Sequence, residues 1–157
     1  MPAFSRVLGQ SWPTERSKAM EIFVEQECAM RLVVSPDISA GVTTRLWYSP
    51  HDPYAVYVDI DTGPDTRVTW VFARDLLALG TVKSAGDGDV RIWPASEGRR
   101  RVLCLALSSP SGRALLHAPL TTVERWLERI HQMVPEGQEG RLLNLDDELC
   151  GLLGEAA

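Results

Sequence analysis

The chain has few of the residues that usually mark chemistry. It holds only three cysteines, Cys28, Cys104 and Cys150, and three histidines, His51, His117 and His131. The cysteines form neither a CxxC pair nor a Cys–His pair at metal-ligand spacing, so no metal set follows from them. An odd number of scattered thiols fits a reducing cytoplasm. The histidines show no HxxxH or HExxH spacing. There is no GxxxxGK[ST] phosphate loop and no GxSxG nucleophile elbow. Long hydrophobic runs are missing too. The longest, Val102–Leu107, falls far below the roughly 18 residues a membrane helix needs. The N-terminus lacks a basic stretch followed by an apolar core, so no signal peptide is expected. Positive charge is also short: 16 Lys+Arg against 21 Asp+Glu gives −5. That balance argues against binding driven by phosphate neutralisation.

What is present suits one soluble globular domain. The 157 residues can bury a sizeable core, and a 45% hydrophobic fraction excludes a mainly disordered chain. Residues 1–19 show no clear period and are expected to be an N-terminal extension, disordered or absent from the working protein, with Met20 as an alternative start. Residues 20–157 read as a single domain.

The first two-thirds alternates with the period of a sheet. Strands are expected over 28–34, 42–48, 54–61 and 68–72, separated by Ser-Pro-Asp and Thr-Gly-Pro-Asp turn clusters. In the third, Val56, Val58 and Ile60 share one face, while Tyr57, Asp59 and Asp61 share an exposed one. The period changes at Phe72, and 73–79 reads as a short helix ended by Gly80 at C′. Strands resume at 81–83, 89–93 and 99–107. The last of these contains Cys104 as a small core hydrophobe. Ser109-Pro110-Ser111-Gly112 reads as the start of a short helix through Leu116, with Ser109 as N-cap. Thr121-Thr122-Val123-Glu124 has capping-box spacing before an amphipathic helix carrying Val123, Trp126, Leu127, Ile130 and Val134. A last helix is expected from Asn144, with Leu145, Leu149 and Leu152 on its apolar side. The class is α+β, antiparallel sheet with C-terminal helices, in two related β-rich halves.

Tests for chemistry return bland readings. Gly86-Asp87-Gly88 precedes a strand instead of opening a helix, so a turn is favoured over a phosphate loop. Asp59 and Asp61 lack the glycine and glutamate that a calcium loop needs further on, and no acid–base partner is identifiable. Arg99-Arg100-Arg101 is a basic run beside a loop, best read as a solvated edge, with a partner contact as the sharper alternative. No catalytic, cofactor or metal residue is assigned.

Four segments in order carry a resemblance. They are Asp52-Pro53-Tyr54-Ala55-Val56, Trp70-Val71-Phe72-Ala73-Arg74-Asp75-Leu76-Leu77, Gly88-Asp89-Val90-Arg91-Ile92-Trp93-Pro94 and Leu107-Ser108-Ser109-Pro110-Ser111-Gly112. Together they resemble the SsgA-like sporulation and cell-division proteins of actinobacteria, from about Ala29 to Leu153. The resemblance implies a non-enzymatic protein of sporulation-specific septation, without cofactor or small-molecule substrate. It implies a cytoplasmic protein at the septum, a contact with the tubulin-like GTPase FtsZ or its membrane-anchored regulators, and a homotrimer. It also implies a fold similar to the Whirly-type single-stranded-nucleic-acid-binding proteins. Nucleic-acid binding is therefore the alternative function, with Arg91 and Arg99–Arg101 gathered locally, and the −5 charge opposes it. The partner surface is expected at Arg99, Arg100, Arg101, Trp126, Leu145, Leu149 and Leu152.

Overall fold

Stretches that alternate with period two become strands, and the two places where the period lengthens become helices. The computed structural model describes residues 6–9 and 23–141. Five strands come first: β1 (Arg6–Gly9), β2 (Val24–Ser35), β3 (Ile38–Tyr48), β4 (Ala55–Gly63) and β5 (Thr66–Ala73). Helix α1 (Arg74–Gly80) follows, then β6 (Val90–Glu97), β7 (Arg100–Ser109), β8 (Gly112–Pro119) and helix α2 (Leu120–Met133). The eight strands form one sheet in the order β1-β5-β4-β3-β2-β8-β7-β6. Every pairing is antiparallel. The α+β class read from the sequence holds.

Two meanders, β2–β5 and β6–β8, each end in a helix. They meet where β2 lies against β8, at Arg31 opposite His117 and Leu32 opposite Leu116. One face of the sheet buries Met30, Leu46, Val58, Phe72, Leu105 and Leu116. Helix α2 covers this face with Val123, Trp126, Leu127 and Ile130, all buried, as its spacing predicted.

Three local expectations are overturned. Residues 81–83 are a turn, not a strand: the N–H groups of Val82 and Lys83 both donate to Leu79 O. Only Ala85 reaches the sheet, in an isolated bridge to Ile92 that closes the loop containing Gly86-Asp87-Gly88. Ser109–Gly112 closes the β7–β8 hairpin and opens no helix. The Ser109 hydroxyl accepts from the Ser111 N–H at 3.2 Å, and Gly112 takes φ 146°. A serine before proline satisfies a tight turn as readily as a helix start, and the β pairing of residues 112–119 decides between them. The capping box also does not form. Pro119 is the N-cap of α2, without a side-chain bond, so Thr121 already lies inside the helix.

Gly80 has a different role from the one expected. It is the last residue of α1, and Thr81 follows it in right-handed helical conformation, so no left-handed cap exists there. A Cβ at Gly80 would lie 2.4 Å from Ile92 Cγ2 and 2.6 Å from Ile92 Cβ. Gly80 lets α1 approach β6, and Ile92 is fully buried and cannot move aside. Alanine is ordinarily the better helix residue, yet Gly80→Ala should destabilise by about 1–3 kcal/mol through overpacking. Urea unfolding measures this. A midpoint at or above that of the wild type would mean the helix retreats without cost.

Candidate interaction surface

Of the sequence-predicted partner residues, the described ones, Arg99, Arg100, Arg101 and Trp126, do not converge. Arg99 lies in the β6–β7 turn, and Arg100 and Arg101 open β7, all exposed. Arg91 sits opposite Ala106, while Arg100 sits opposite Glu97. Six strand residues, about 20 Å, therefore separate Arg91 from the triple-arginine end, and the expected local gathering does not occur. Trp126 is a correction of another kind. It is fully buried, and its indole N–H donates to Val24 O at 3.0 Å. Its face of α2 seats on the sheet and offers nothing to a partner. Leu145, Leu149 and Leu152 lie outside the described residues, as does Cys150.

The groups tested for chemistry are occupied by neighbours. Asp59 was expected on an exposed face but is 2% exposed. It accepts from Thr69 Oγ1 at 2.7 Å and pairs with Arg45 at 3.4 Å. Asp61 pairs with Arg67 at 2.9 Å. Neither carboxylate stands ready for proton transfer. Burial pushes the Cys28 thiol up to about 11 and also raises Cys104, so both stay protonated at neutral pH and behave as core residues. Among the described residues no three His, Cys, Asp or Glu side chains cluster as a metal site would require.

The sheet face turned away from α2 carries Trp47, Tyr57 and several charged side chains. Trp47 stacks on Tyr57 with ring centroids 3.8 Å apart. Arg31 forms an ion pair with Glu97, and His117 Nδ1 lies 3.6 Å from the same carboxylate. The Arg31 hydrogen bond, with help from His117, holds the Glu97 carboxyl below its ordinary range.

At the other end of β6 the same face opens into a groove. Strand register sets Arg91, Ala106 and Leu115 side by side across β6, β7 and β8, and Ser108 beside Arg113 one step further. With Val33 and Trp93 these residues line a hollow of about 590 Å³. A second hollow of about 550 Å³, lined by Lys83, Ser84 and Pro94, shares Arg91 and Trp93 with it. Trp93 is half-buried, and Lys83, Arg91 and Arg113 are exposed. Among the described residues none of these three cations has an ion-pair partner. Sequence reasoning missed this set because it read Gly112–Leu116 as helical. As a hairpin, the same segment brings Arg113 next to Ser108, and the register then brings in Arg91.

Arg74 is the second residue whose role was hidden. It is the first residue of α1. It is 1% exposed and forms an ion pair with Glu139, which follows α2. It also donates to Val134 O at 2.7 Å and to the Tyr48 hydroxyl at 3.3 Å, with its guanidinium 5.5 Å from the Tyr48 ring centroid. This node is structural: it ties β3, α1 and the segment after α2 together.

Comparison with known proteins now decides the family. The family model described as "Streptomyces sporulation and cell division protein, SsgA" matches residues 42–139. The chain belongs to the SsgA family. It is similar to the sporulation-specific cell division protein SsgB of Streptomyces coelicolor, with 47% identity over 87% of this chain and all of that relative. It is also similar to SsgB of Thermobifida fusca, with 40% identity over 79% of this chain and 90% of the relative. A crystal structure of an SsgA-like sporulation-specific cell division protein from Thermobifida fusca superposes with a TM-score of 0.77 at 36% identity, covering 86% of this chain and 98% of that one. A solved structure from work on SsgB mutations that correlate to longitudinal cell division in Streptomyces coelicolor gives 0.76 at 46% identity, covering 80% and 99%. The chain is thus an SsgB-like sporulation-specific cell division protein of a non-enzymatic family. Among its described residues no helix is long and apolar enough to cross a membrane.

Proposed function

We propose that this SsgA-family chain is an adaptor of septum-site selection or septum assembly, acting at the septum by contacting division proteins, FtsZ or its membrane-anchored regulators. The observation that carries the reading is similarity to SsgB along the whole length of that relative. The groove at β6 supports it: exposed cations without an ion-pair partner among the described residues, set around a tryptophan, suit recognition better than catalysis. A homotrimer would multiply weak contacts by avidity.

A fluorescent fusion, expressed in sporulating filaments that lack the chromosomal copy, tests this. The fusion should form ladders of bands at division sites, and the deletion strain should fail to septate its aerial filaments. Diffuse fluorescence together with normal septation in the deletion strain would remove the adaptor reading.

A further inference from the structure

Three groups on one sheet end carry positive charge that nothing among the described residues neutralises: Lys83, Arg91 and Arg113. Of the residues lining the two hollows Asp87 is the one acid, so the lining is 3 − 1 = +2 in a chain whose formal charge is −5, and Asp89 lies next to it beside Ser108. Between them the floor is apolar, built from Val33, Ala106 and Leu115, with Trp93 where the two hollows meet. A surface meant only for solvation would have no reason to keep a half-buried indole and three aliphatic side chains under a basic rim.

We infer that this groove is a docking site for an acidic peptide segment of a partner protein, one that places an apolar side chain on Trp93 and Leu115 and its carboxylates on Arg91 and Arg113. Charge complementarity selects the occupant. Arginine can grip a carboxylate with two parallel N–H donors, and the rim offers two such forks. The sheet edge selects the mode. β6 is an edge strand, but Ile92 already exchanges both backbone hydrogen bonds with Ala85. Pro94, next in line on that edge, has no N–H to give. Strand addition is therefore blocked, and recognition runs through side chains. A single-stranded nucleic acid would also value arginines beside an indole. It fits less well, because a net +2 neutralises few phosphates and the triple-arginine end lies too far away to help. The inference rests on the adaptor reading and gives the chemistry of the partner.

The test uses the full chain and fluorescence anisotropy with three probes: a fluorescein-labelled peptide of Asp, Glu and Leu, its counterpart of Lys and Leu, and a labelled oligothymidylate. At about 50 mM salt the acidic peptide should bind saturably and the basic peptide should not. Arg91→Glu with Arg113→Glu should weaken binding at least about tenfold, since two attractions become two repulsions. Arg91→Lys with Arg113→Lys keeps the charge and loses the forks, so it should weaken binding less than the charge reversal does, and Trp93→Ala should lower it several-fold. Both arginines are exposed, so circular dichroism melts of the charge variants should match the wild type. No saturable peptide binding, or binding indifferent to charge reversal, would overturn the inference. Tighter binding of the oligothymidylate, lost in the same double variant, would overturn it in favour of nucleic acid. If the peptide fails while the fusion still marks division sites, the groove assignment falls and the adaptor reading stands.

Discussion

Arg74→Met should cost about 3–5 kcal/mol of folding free energy at neutral pH, the usual loss when one partner of a buried ion pair is removed. The side chain of Arg74 is 1% exposed and that of Glu139 6%, so neither charge can fall back on water. In the variant, Glu139 Oε1 loses its cation, and the donors that remain are backbone N–H groups without full charge, that of Gly137 at 2.9 Å on the other oxygen among them. Val134 O and the Tyr48 hydroxyl lose a donor as well. Burial, larger than the attraction of Arg74, pushes the Tyr48 hydroxyl up to about 12, so it is neutral and cannot replace the lost cation. Glu139→Gln should be milder, about 1–3 kcal/mol, since the amide oxygen still accepts from Arg74.

The pH profile separates this pair from simple loss of packing. Burial alone would raise the Glu139 carboxyl, but backbone N–H groups and the Arg74 guanidinium outweigh it and hold the carboxyl below its ordinary value. A depressed folded-state value contributes stability that is present above the unfolded value and lost as pH falls through the folded one. In Arg74→Met burial and the backbone N–H groups remain and oppose each other, so the Glu139 carboxyl moves back up and the stability it contributes at neutral pH shrinks. The gap between wild type and variant should be widest near neutrality and narrow towards about pH 4. Guanidinium titrations at several pH values measure it. A gap independent of pH would show that Arg74 matters only as volume.

Element types were legible wherever apolar residues recur with one clear period along the chain. β4 and α2 are such cases, and Val56, Val58 and Ile60, or Val123, Trp126 and Ile130, fell on the faces assigned to them. Residues 109–116 were misread because Ser-Pro-Ser-Gly serves both helix starts and hairpin turns. Only pairing with β7, a long-range fact, separates the two. The same error hid the groove, whose walls come from residues adjacent in register and distant in sequence. Arg74 was hidden for a related reason: a charged residue at a helix start reads as solvated, and its partner lies 65 positions away. Trp126 misled in the opposite direction, since an amphipathic stripe does not say whether sheet or partner covers it.

Trp126→Ala should cost about 3–5 kcal/mol, the range for emptying a large aromatic from a core. The side chain is fully buried, so its removal leaves a cavity in the core. Against a total stability of about 5–15 kcal/mol, this loss removes a large share of the folded state's margin. It should also be local in a particular way. The strands of the two meanders pair along β2 and β8, in register at Arg31–His117 and Leu32–Leu116, and α1 adds its packing on β6 at Ile92. Helix α2 packs on β2, β7 and β8 at once, so it bridges that seam. Trp126 is its anchor on the β2 side through the bond to Val24 O. Amide hydrogen exchange should therefore quicken in β2 and β8 well before it does in β4 and β5, which α2 does not hold. Trp126→Phe keeps most of the buried area and loses only the hydrogen bond, so about 1 kcal/mol is expected, with little change in the exchange pattern. Uniform acceleration across all strands in Trp126→Ala would mean that the halves unfold as one unit and that α2 is not what joins them.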